Sequence, residues 1–401
     1  MKSTDLVSIA EEFGTPVYVY DASKIVHQYH RLKNAFDGVD VHLHYAMKAL
    51  NNINILRLLK NEGAGLDAVS VEEIHLGIRA GFAPNQIMYT PNGVSWQEID
   101  EAIKLGVHLN IDNLFMLEKL GQEYGDKVPC CIRINPHIMA GGNSNISVGH
   151  IDSKFGISIH QLRHIQRIMN HYNIHVVGLH MHTGSDIIDA DVFLRGATLL
   201  FEAAEFFPEL RFVDLGSGFK VAYKASDFVT DIEKIGKKIA DSFIDFCKSY
   251  GRDLELWFEP GKFIVSESGN LLVSVNVVKQ TTSTVFAGVN SGQNHLIRPM
   301  FYNAYHHIEN ISNGDGDQKL YSVVGNICES DTLGHDRMIN EVRIGDVLSI
   351  SNAGAYAFSM SNQYNARTRP PEVLWIDNEA KLIRKRETLE DIYRNEVEVV
   401  F

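Results

Sequence analysis

Lys48 closes an apolar, β-prone run, Tyr45-Ala46-Met47-Lys48, and a strand in that place delivers its amine toward a cavity. Period-two alternation from Val41 to Ala49 puts His42, His44, Ala46 and Lys48 on one face and Leu43, Tyr45 and Met47 on the other. An amine stripped of water in this way is a Schiff-base nucleophile; the plain alternative is a lysine that snorkels at a strand end. His180-Met181-His182-Thr183-Gly184-Ser185 again sets two histidines on one strand face. Such pairs can ligate a metal, or His42, His44 and His180 can fill polar layers of an interior. Two turns complete the set. In Gly216-Ser217-Gly218 small residues let backbone N–H groups approach an anion. In Glu259-Pro260-Gly261-Lys262 a carboxylate is followed by a rigid turn and a cation. Together they read as a phosphate cradle with a carboxylate nearby.

The elements that must position these groups alternate regularly. Eight short β-prone runs cover 42–48, 66–70, 87–90, 107–112, 130–135, 176–182, 212–215 and 254–259, with amphipathic patterns at 54–60, 71–80, 95–105 and 230–250 between some of them. Eight such units predict a closed (β/α)8 barrel, with an open doubly wound sheet as the alternative. The lysine, the second histidine pair and the two turns then fall at the C-terminal ends of strands one, six, seven and eight, where barrels collect their chemistry. Past Glu259 helical periodicity largely stops. Runs at 271–279, 283–287, 319–324, 346–351 and 372–376 predict an antiparallel β domain, and Asn310 to Asp317 an exposed loop. The expected division is a barrel over 24–265 and a β domain over 266–401, joined by residues 1–23 through the strand-like Pro16-Val17-Tyr18-Val19-Tyr20.

Composition narrows the partner. The chain has 401 residues, 45% hydrophobic and 22% charged, and a net charge of −13, which opposes nucleic acid and anionic membranes and favours a small-molecule partner. Cys130, Cys131, Cys247 and Cys328 have neither zinc-ligand spacing nor the density of a disulfide scaffold. With no leader-like start and no membrane-length apolar run, a cytoplasmic location is expected.

A strand-end lysine, an anion cradle, a carboxylate and a flat imidazole match the needs of pyridoxal 5′-phosphate. The order Tyr45-Ala46-Met47-Lys48-Ala49, His182-Thr183-Gly184-Ser185, Gly216-Ser217-Gly218, Glu259-Pro260-Gly261-Lys262, Arg298-Pro299 with Tyr302, Cys328-Glu329-Ser330 and Gly354-Ala355-Tyr356 resembles that of the fold-type III pyridoxal-phosphate-dependent decarboxylases. The likeness runs from Thr15-Pro16 to Arg367-Thr368-Arg369-Pro370. It implies that Lys48 carries the cofactor, His182 stacks on its ring, and Glu259 partners the pyridine nitrogen. It places Asp67 close by, and Ser185, Gly216, Ser217, Gly218, Gly261, Lys262 and Tyr356 around the cofactor, chiefly at its phosphate. Asn365 lies in the family's Tyr-Asn segment. The resemblance further implies a homodimer, with Cys328, Glu329 and Tyr356 reaching the other subunit's barrel, and no metal.

The implied reaction is decarboxylation of meso-2,6-diaminopimelate to L-lysine and CO2, with Cys328 or Lys48 returning the proton to the substrate carbon. Such a substrate has a second amino-acid head to be gripped. Arg298 offers a two-pronged donor to its carboxylate, Glu329 an acceptor for its ammonium, and Tyr302, Tyr356 and Lys262 further contacts. Ornithine, lysine or carboxynorspermidine decarboxylation are alternatives within the family; an alanine racemase shares the barrel and lysine but has no need of Arg298 and Glu329. A metal-dependent amidohydrolase and a non-catalytic pyridoxal-phosphate carrier are the alternatives outside. Lys262 stands where the family usually has arginine, Ser217 replaces a glycine, Asp186 a glutamine, Val148 a threonine, and Asp331 falls one residue early.

Overall fold

The computed structural model describes residues 1–138, 153–184, 190–224 and 226–401. The chain separates into a barrel unit, Val26–Val221 with Phe228–Phe263, and a β unit, Met1–Ile25 with Ala222–Asp227 and Ile264–Phe401. Chain order begins with α1 (Ser3–Phe13), β1 (Val17–Asp21) and α2 (Ala22–Lys33). The barrel follows as β2 (Val41–Ala46), α3 (Ile53–Asn61), β3 (Gly65–Ala68), α4 (Val71–Ala80), β4 (Ile87–Tyr89), α5 (Trp96–Leu105), β5 (His108–Ile111), α6 (Leu114–Tyr124) and β6 (Cys130–Asn135). After the short β7 (Ile157–Ser158) come α7 (Leu162–Tyr172), β8 (Val176–His180), α8 (Ala190–Ala204), β9 (Phe212–Asp214), α9 (Ile232–Tyr250), β10 (Glu255–Phe258) and α10 (Lys262–Val265).

Eight of these strands close on themselves in the order β2, β3, β4, β5, β6, β8, β9, β10, every pairing parallel, so the closed barrel is observed and the open sheet is excluded. Local chemistry fixes the helices between them. Ser70 accepts the Glu73 N–H at the start of α4, and Gly81, at φ 102°, ends it in the left-handed conformation a side chain would resist. A layer of Met88, Cys131, Val177, Phe212 and Trp257 fills the interior. Phe212 and Trp257 stack at 3.8 Å, and Gly178 has no Cβ because the Phe212 ring occupies that space.

The β unit adds β11 (Gly269–Gln280), β12 (Val285–Val289), α11 (Arg298–Tyr302), β13 (Ile308–Asn310), β14 (Gln318–Val324), β15 (Thr332–Asn340), β16 (Val347–Ser351), β17 (Glu372–Ile376), β18 (Glu379–Arg384) and α12 (Glu390–Tyr393). Its sheet is antiparallel, as expected, except where β1 pairs β17 and β12 pairs β14 in parallel. β1 lies in this sheet between β11 and β17, as the N-terminal strand was expected to. Leu6, Ile9 and Ala10 of α1 pack on Val17, Val19, Leu272 and Val373 to make its core. Ala222–Asp227 groups here rather than with the barrel, tied by the Asn352 amide donating to the Ala222 carbonyl. No helix among the described residues is long and apolar enough to cross a membrane.

Candidate active site at the C-terminal ends of the barrel strands

Lys48 lies one turn beyond β2, in a single 3₁₀ turn, Met47–Ala49. The alternation that put it on a strand therefore ends two residues early, and its side chain is 43% exposed rather than buried. Its Nζ donates to Asp67 Oδ2 at 3.0 Å. Register explains the meeting, since Asp67 on β3 sits opposite Ala46 on β2. Asp67 itself is 1% exposed, and its Oδ1 has no partner among the described residues.

Glu259 follows β10 and is held from three sides. Its Oε2 accepts from His180 Nε2 at 3.0 Å, its Oε1 from Thr90 Oγ1 at 3.3 Å, and its N–H donates to the Gly216 carbonyl at 2.8 Å. Asn110 in turn donates to Thr90 Oγ1 at 3.4 Å. Burial alone would lift this carboxyl, but His180, Lys48 and His182 hold it well below the usual carboxylate range. Its neighbours go the other way. Burial, then the Glu259 charge, raises both Asp67 and Asp214. Oxygens of Asp214 and Glu259 lie within 4.8 Å of each other. Two full charges at that separation repel by at least about 3.5 kcal/mol at an effective dielectric constant of about 20. One acid ionises and the other resists.

His182 follows β8. Its Nδ1 accepts the Ser217 N–H at 3.4 Å, and burial, with Arg133 and Lys48 beside it, pushes the imidazole down to about 3. The ring is therefore neutral and flat at any physiological pH. Arg133 is buried nearby and loses proton affinity to that burial, a loss that Glu259, Asp112, Asp67 and Asp214 partly offset. Around the turn after β9, Gly216 (φ 64°) and Gly218 (φ 128°) take up positive-φ conformations, with the Gly216 N–H bound to Asp214 Oδ1 at 2.8 Å and the Ser217 N–H to His182 Nδ1. A Cβ at Gly216 would stand 2.6 Å from the Met181 carbonyl oxygen. Gly261, preceding α10, packs so closely that its missing Cβ would meet those of Ala49 and Ala46 at 3.1 and 3.2 Å. Lys262 is the first residue of α10. Ser185, Asp186 and Val148 lie outside the described residues.

The other expected residues belong to the β unit. Arg298 opens α11, its guanidinium 5.4 Å from the Tyr223 ring centre and 5.6 Å from that of Tyr302. Cys328 is exposed, and its N–H donates to Asn365 Oδ1 at 3.1 Å. Glu329 accepts from Tyr364 OH at 2.7 Å and from Gln293 Nε2 at 2.8 Å, contacts that lower its carboxyl. Asp331 is structural: its two oxygens take the Gln293 and Ile327 N–H groups at 2.6 and 3.0 Å, fixing the loop that carries Cys328. Tyr356 sits at φ 55° in the turn after β16.

Thr90, Asn110, Arg133 and Asp214 were not anticipated. A charge inside an otherwise apolar strand, as in Cys130-Cys131-Ile132-Arg133 and Phe212-Val213-Asp214, was the available signal. His44 and His180 are interior, as expected, but His42 is exposed at the N-terminal end of β2, 3.2 Å from Asp40 and 3.9 Å from Glu255, so it fills no interior layer. Potential metal donors converge at Asp40, His42 and Glu255 and at His180, Asp214 and Glu259; in the second group the His180–Glu259 hydrogen bond already joins two of the three. A cavity of about 930 Å3 at the opposite end of the strands, lined by Asp40, His175, Arg211 and Glu255 among others, contains none of the residues assembled around Lys48.

The family model described as pyridoxal-dependent decarboxylase, pyridoxal binding domain, matches residues 22–266. The diaminopimelate decarboxylase of Methanothermobacter thermautotrophicus is 37% identical over 402 residues, covering 98% of this chain and 94% of that protein. That of Helicobacter pylori strain J99 is 35% identical, covering 97% of each. The crystal structure of diaminopimelate decarboxylase from Helicobacter pylori complexed with L-lysine superposes with a TM-score of 0.90 at 32% identity, covering 98% of this chain and 99% of that one.

Proposed function

The chain belongs to the pyridoxal-dependent decarboxylases, and we infer that it converts meso-2,6-diaminopimelate to L-lysine and CO2. The observation that carries the chemistry is an amine, Lys48, bound to the buried Asp67 at 3.0 Å, in one cluster with Glu259, a buried carboxylate that His180 and Thr90 hold and that stays ionised. Near full-length identity to relatives of that activity carries the substrate.

The described residues fit pyridoxal 5′-phosphate. Lys48 would hold its aldehyde, Glu259 would face the pyridine nitrogen, His182 would lie against the ring, and the Gly216–Gly218 turn with Gly261 would receive the phosphate, joined by Ser185, Lys262 and Tyr356. When bound, the cofactor accepts the electron pair of the breaking bond between the α-carbon and its carboxylate. The chain supplies the rest. An ionised Glu259 stabilises a proton on the facing nitrogen, and His180 and Thr90 keep that carboxylate oriented. Neutral His182 adds a flat surface without competing charge. Asp67, beside the Lys48 amine, can hold or return a proton at Nζ.

In this reading Cys328 or Lys48 delivers the proton to the substrate carbon, and single-turnover decay of a Cys328→Ala variant tests the first: full speed passes the role to Lys48 or water. Arg298, with Tyr302, grips the distal carboxylate, and Glu329, its carboxylate held open by Tyr364 and Gln293, the distal ammonium. A homodimer exchanging Cys328 and Glu329 between subunits, and a cytoplasmic location, complete the proposal. If Cys328→Ala proves inactive, mixing it with inactive Lys48→Ala should recover about a quarter of wild-type activity through random reassortment of symmetric dimers; no recovery removes the exchange. The substrate is tested by measuring CO2 from meso-diaminopimelate, L-ornithine and L-lysine. Release from ornithine alone would overturn the assignment while leaving the cofactor chemistry standing.

A further inference from the structure

Asp214 does not belong to the set of residues that touch substrate in this scheme, yet it is fully buried at the centre of the cluster. Register puts it there: on neighbouring parallel strands Arg133 stands opposite His180, and His180 opposite Asp214, so the three side chains share one side of the barrel wall. One oxygen, Oδ1, accepts the Gly216 N–H at 2.8 Å. The other, Oδ2, has no hydrogen-bond partner among the described residues. Its charged and titratable neighbours are Glu259 from the end of β10, Asp67 from β3, Arg133 and Cys131 from β6, and His180 from β8.

Three buried acids thus compete for few positive partners, and their hydrogen bonds differ. Asp67 has the Lys48 ammonium at 3.0 Å, and Glu259 has His180 and Thr90. Asp214 has a single backbone N–H, and that N–H belongs to the first residue of the glycine turn proposed to receive phosphate. Gly216 sits at φ 64°, one of several conformations open to glycine, and the Asp214 contact selects it.

We propose that Asp214 is a positioning residue that works as a neutral carboxylic acid, its Oδ1 pinning the Gly216 turn in the shape that takes the phosphate while its protonation leaves Glu259 the charged acid of the pair. The proposal rests on the pyridoxal-phosphate reading of the site. Burial and the nearby Glu259 charge, which raise its proton affinity, agree with it.

The proposal separates charge from shape, and so does its test. Asp214→Asn keeps an oxygen for the Gly216 N–H and puts an N–H where the acid would carry O–H; Asp214→Ala removes both. Pyridoxal-phosphate affinity, measured by titrating cofactor-free protein, should fall less than about threefold in Asp214→Asn and at least about tenfold in Asp214→Ala. Infrared difference spectra of cofactor-loaded wild type minus Asp214→Asn, near neutral pH, should contain the C=O stretch of a protonated carboxyl. Equal losses in Asn and Ala, or a difference spectrum with carboxylate bands only, would overturn the neutral-acid assignment. Should Asp214→Ala not fold, the infrared result on Asp214→Asn decides alone. Wild-type protein that takes up no cofactor at Lys48 would instead refute the site reading beneath it.

Discussion

Glu259→Gln removes one negative charge and almost no volume, which makes it the sharpest perturbation of the proposed chemistry. The amide oxygen can still accept from His180 Nε2, 3.0 Å away in the wild type, while the amide NH2 takes the place of the oxygen that accepted from Thr90 Oγ1 at 3.3 Å and can donate to that hydroxyl. What disappears is the anion facing the cofactor nitrogen. A hydrogen bond to a charged group contributes about 1.5–3 kcal/mol, and about 1.4 kcal/mol corresponds to a tenfold rate change. The turnover number for meso-diaminopimelate should therefore fall about 10- to 150-fold at saturating cofactor. Because the interaction strengthens as charge moves into the ring, kcat and kcat/KM should fall together. Single-turnover measurement keeps product release from hiding the loss. A variant that folds, binds cofactor and retains more than a third of wild-type turnover would refute the claim that the Glu259 charge matters.

Acid should weaken the fold through its buried histidines. His44 and His306, both buried, are each pushed down to about 3, chiefly by burial. The folded state keeps them neutral while the unfolded chain protonates below about 6.5, so the unfolded state binds more protons and stability falls as pH drops. Between pH 7 and 5 each should cost about 2 kcal/mol; urea unfolding of His44→Gln should show a correspondingly shallower pH dependence, and an unchanged slope would contradict this. Gly216→Ala meets both the left-handed φ, about 1–2 kcal/mol, and a Cβ only 2.6 Å from the Met181 carbonyl and 2.8 Å from His182 Nδ1. Cofactor affinity should drop at least about tenfold, and an unaltered dissociation constant would remove that turn from the phosphate site. Arg298→Ala should raise KM for diaminopimelate at least about tenfold through loss of a charge-assisted contact; unchanged kinetics would take Arg298 out of the distal clamp.

The barrel was legible in the sequence because parallel strands buried on both faces leave continuous apolar runs, and several helices between them carry their own caps, as Ser70 and Gly81 do for α4. Lys48 and Glu259 could be found because each ends such a run. Arg133, Asp214, Thr90 and Asn110 could not be joined to them from spacing alone. Their neighbours lie on other strands, and only register in the closed sheet, His180 opposite both Arg133 and Asp214, brings them together. Closure also decides depth: His42 and His44 share a strand face, yet one is exposed beside Asp40 and the other is buried, its ring tilted against that of Trp257 with centres 4.1 Å apart. In the β unit, β15 escaped notice because Gly334-His335-Asp336-Arg337 interrupts its apolar alternation, and the ladder there slips, with Asp336 at φ 48°. The exposure of Lys48 was missed for a local reason, the 3₁₀ turn that takes over after Ala46.

The most direct measurement concerns the amine on which the chemistry turns. Cofactor-saturated protein reduced with borohydride, digested and mapped by mass spectrometry should carry a pyridoxyl group on the peptide containing Lys48 and on no other lysine. A reduced protein with that peptide unmodified, or with the label on a different lysine, would contradict the account.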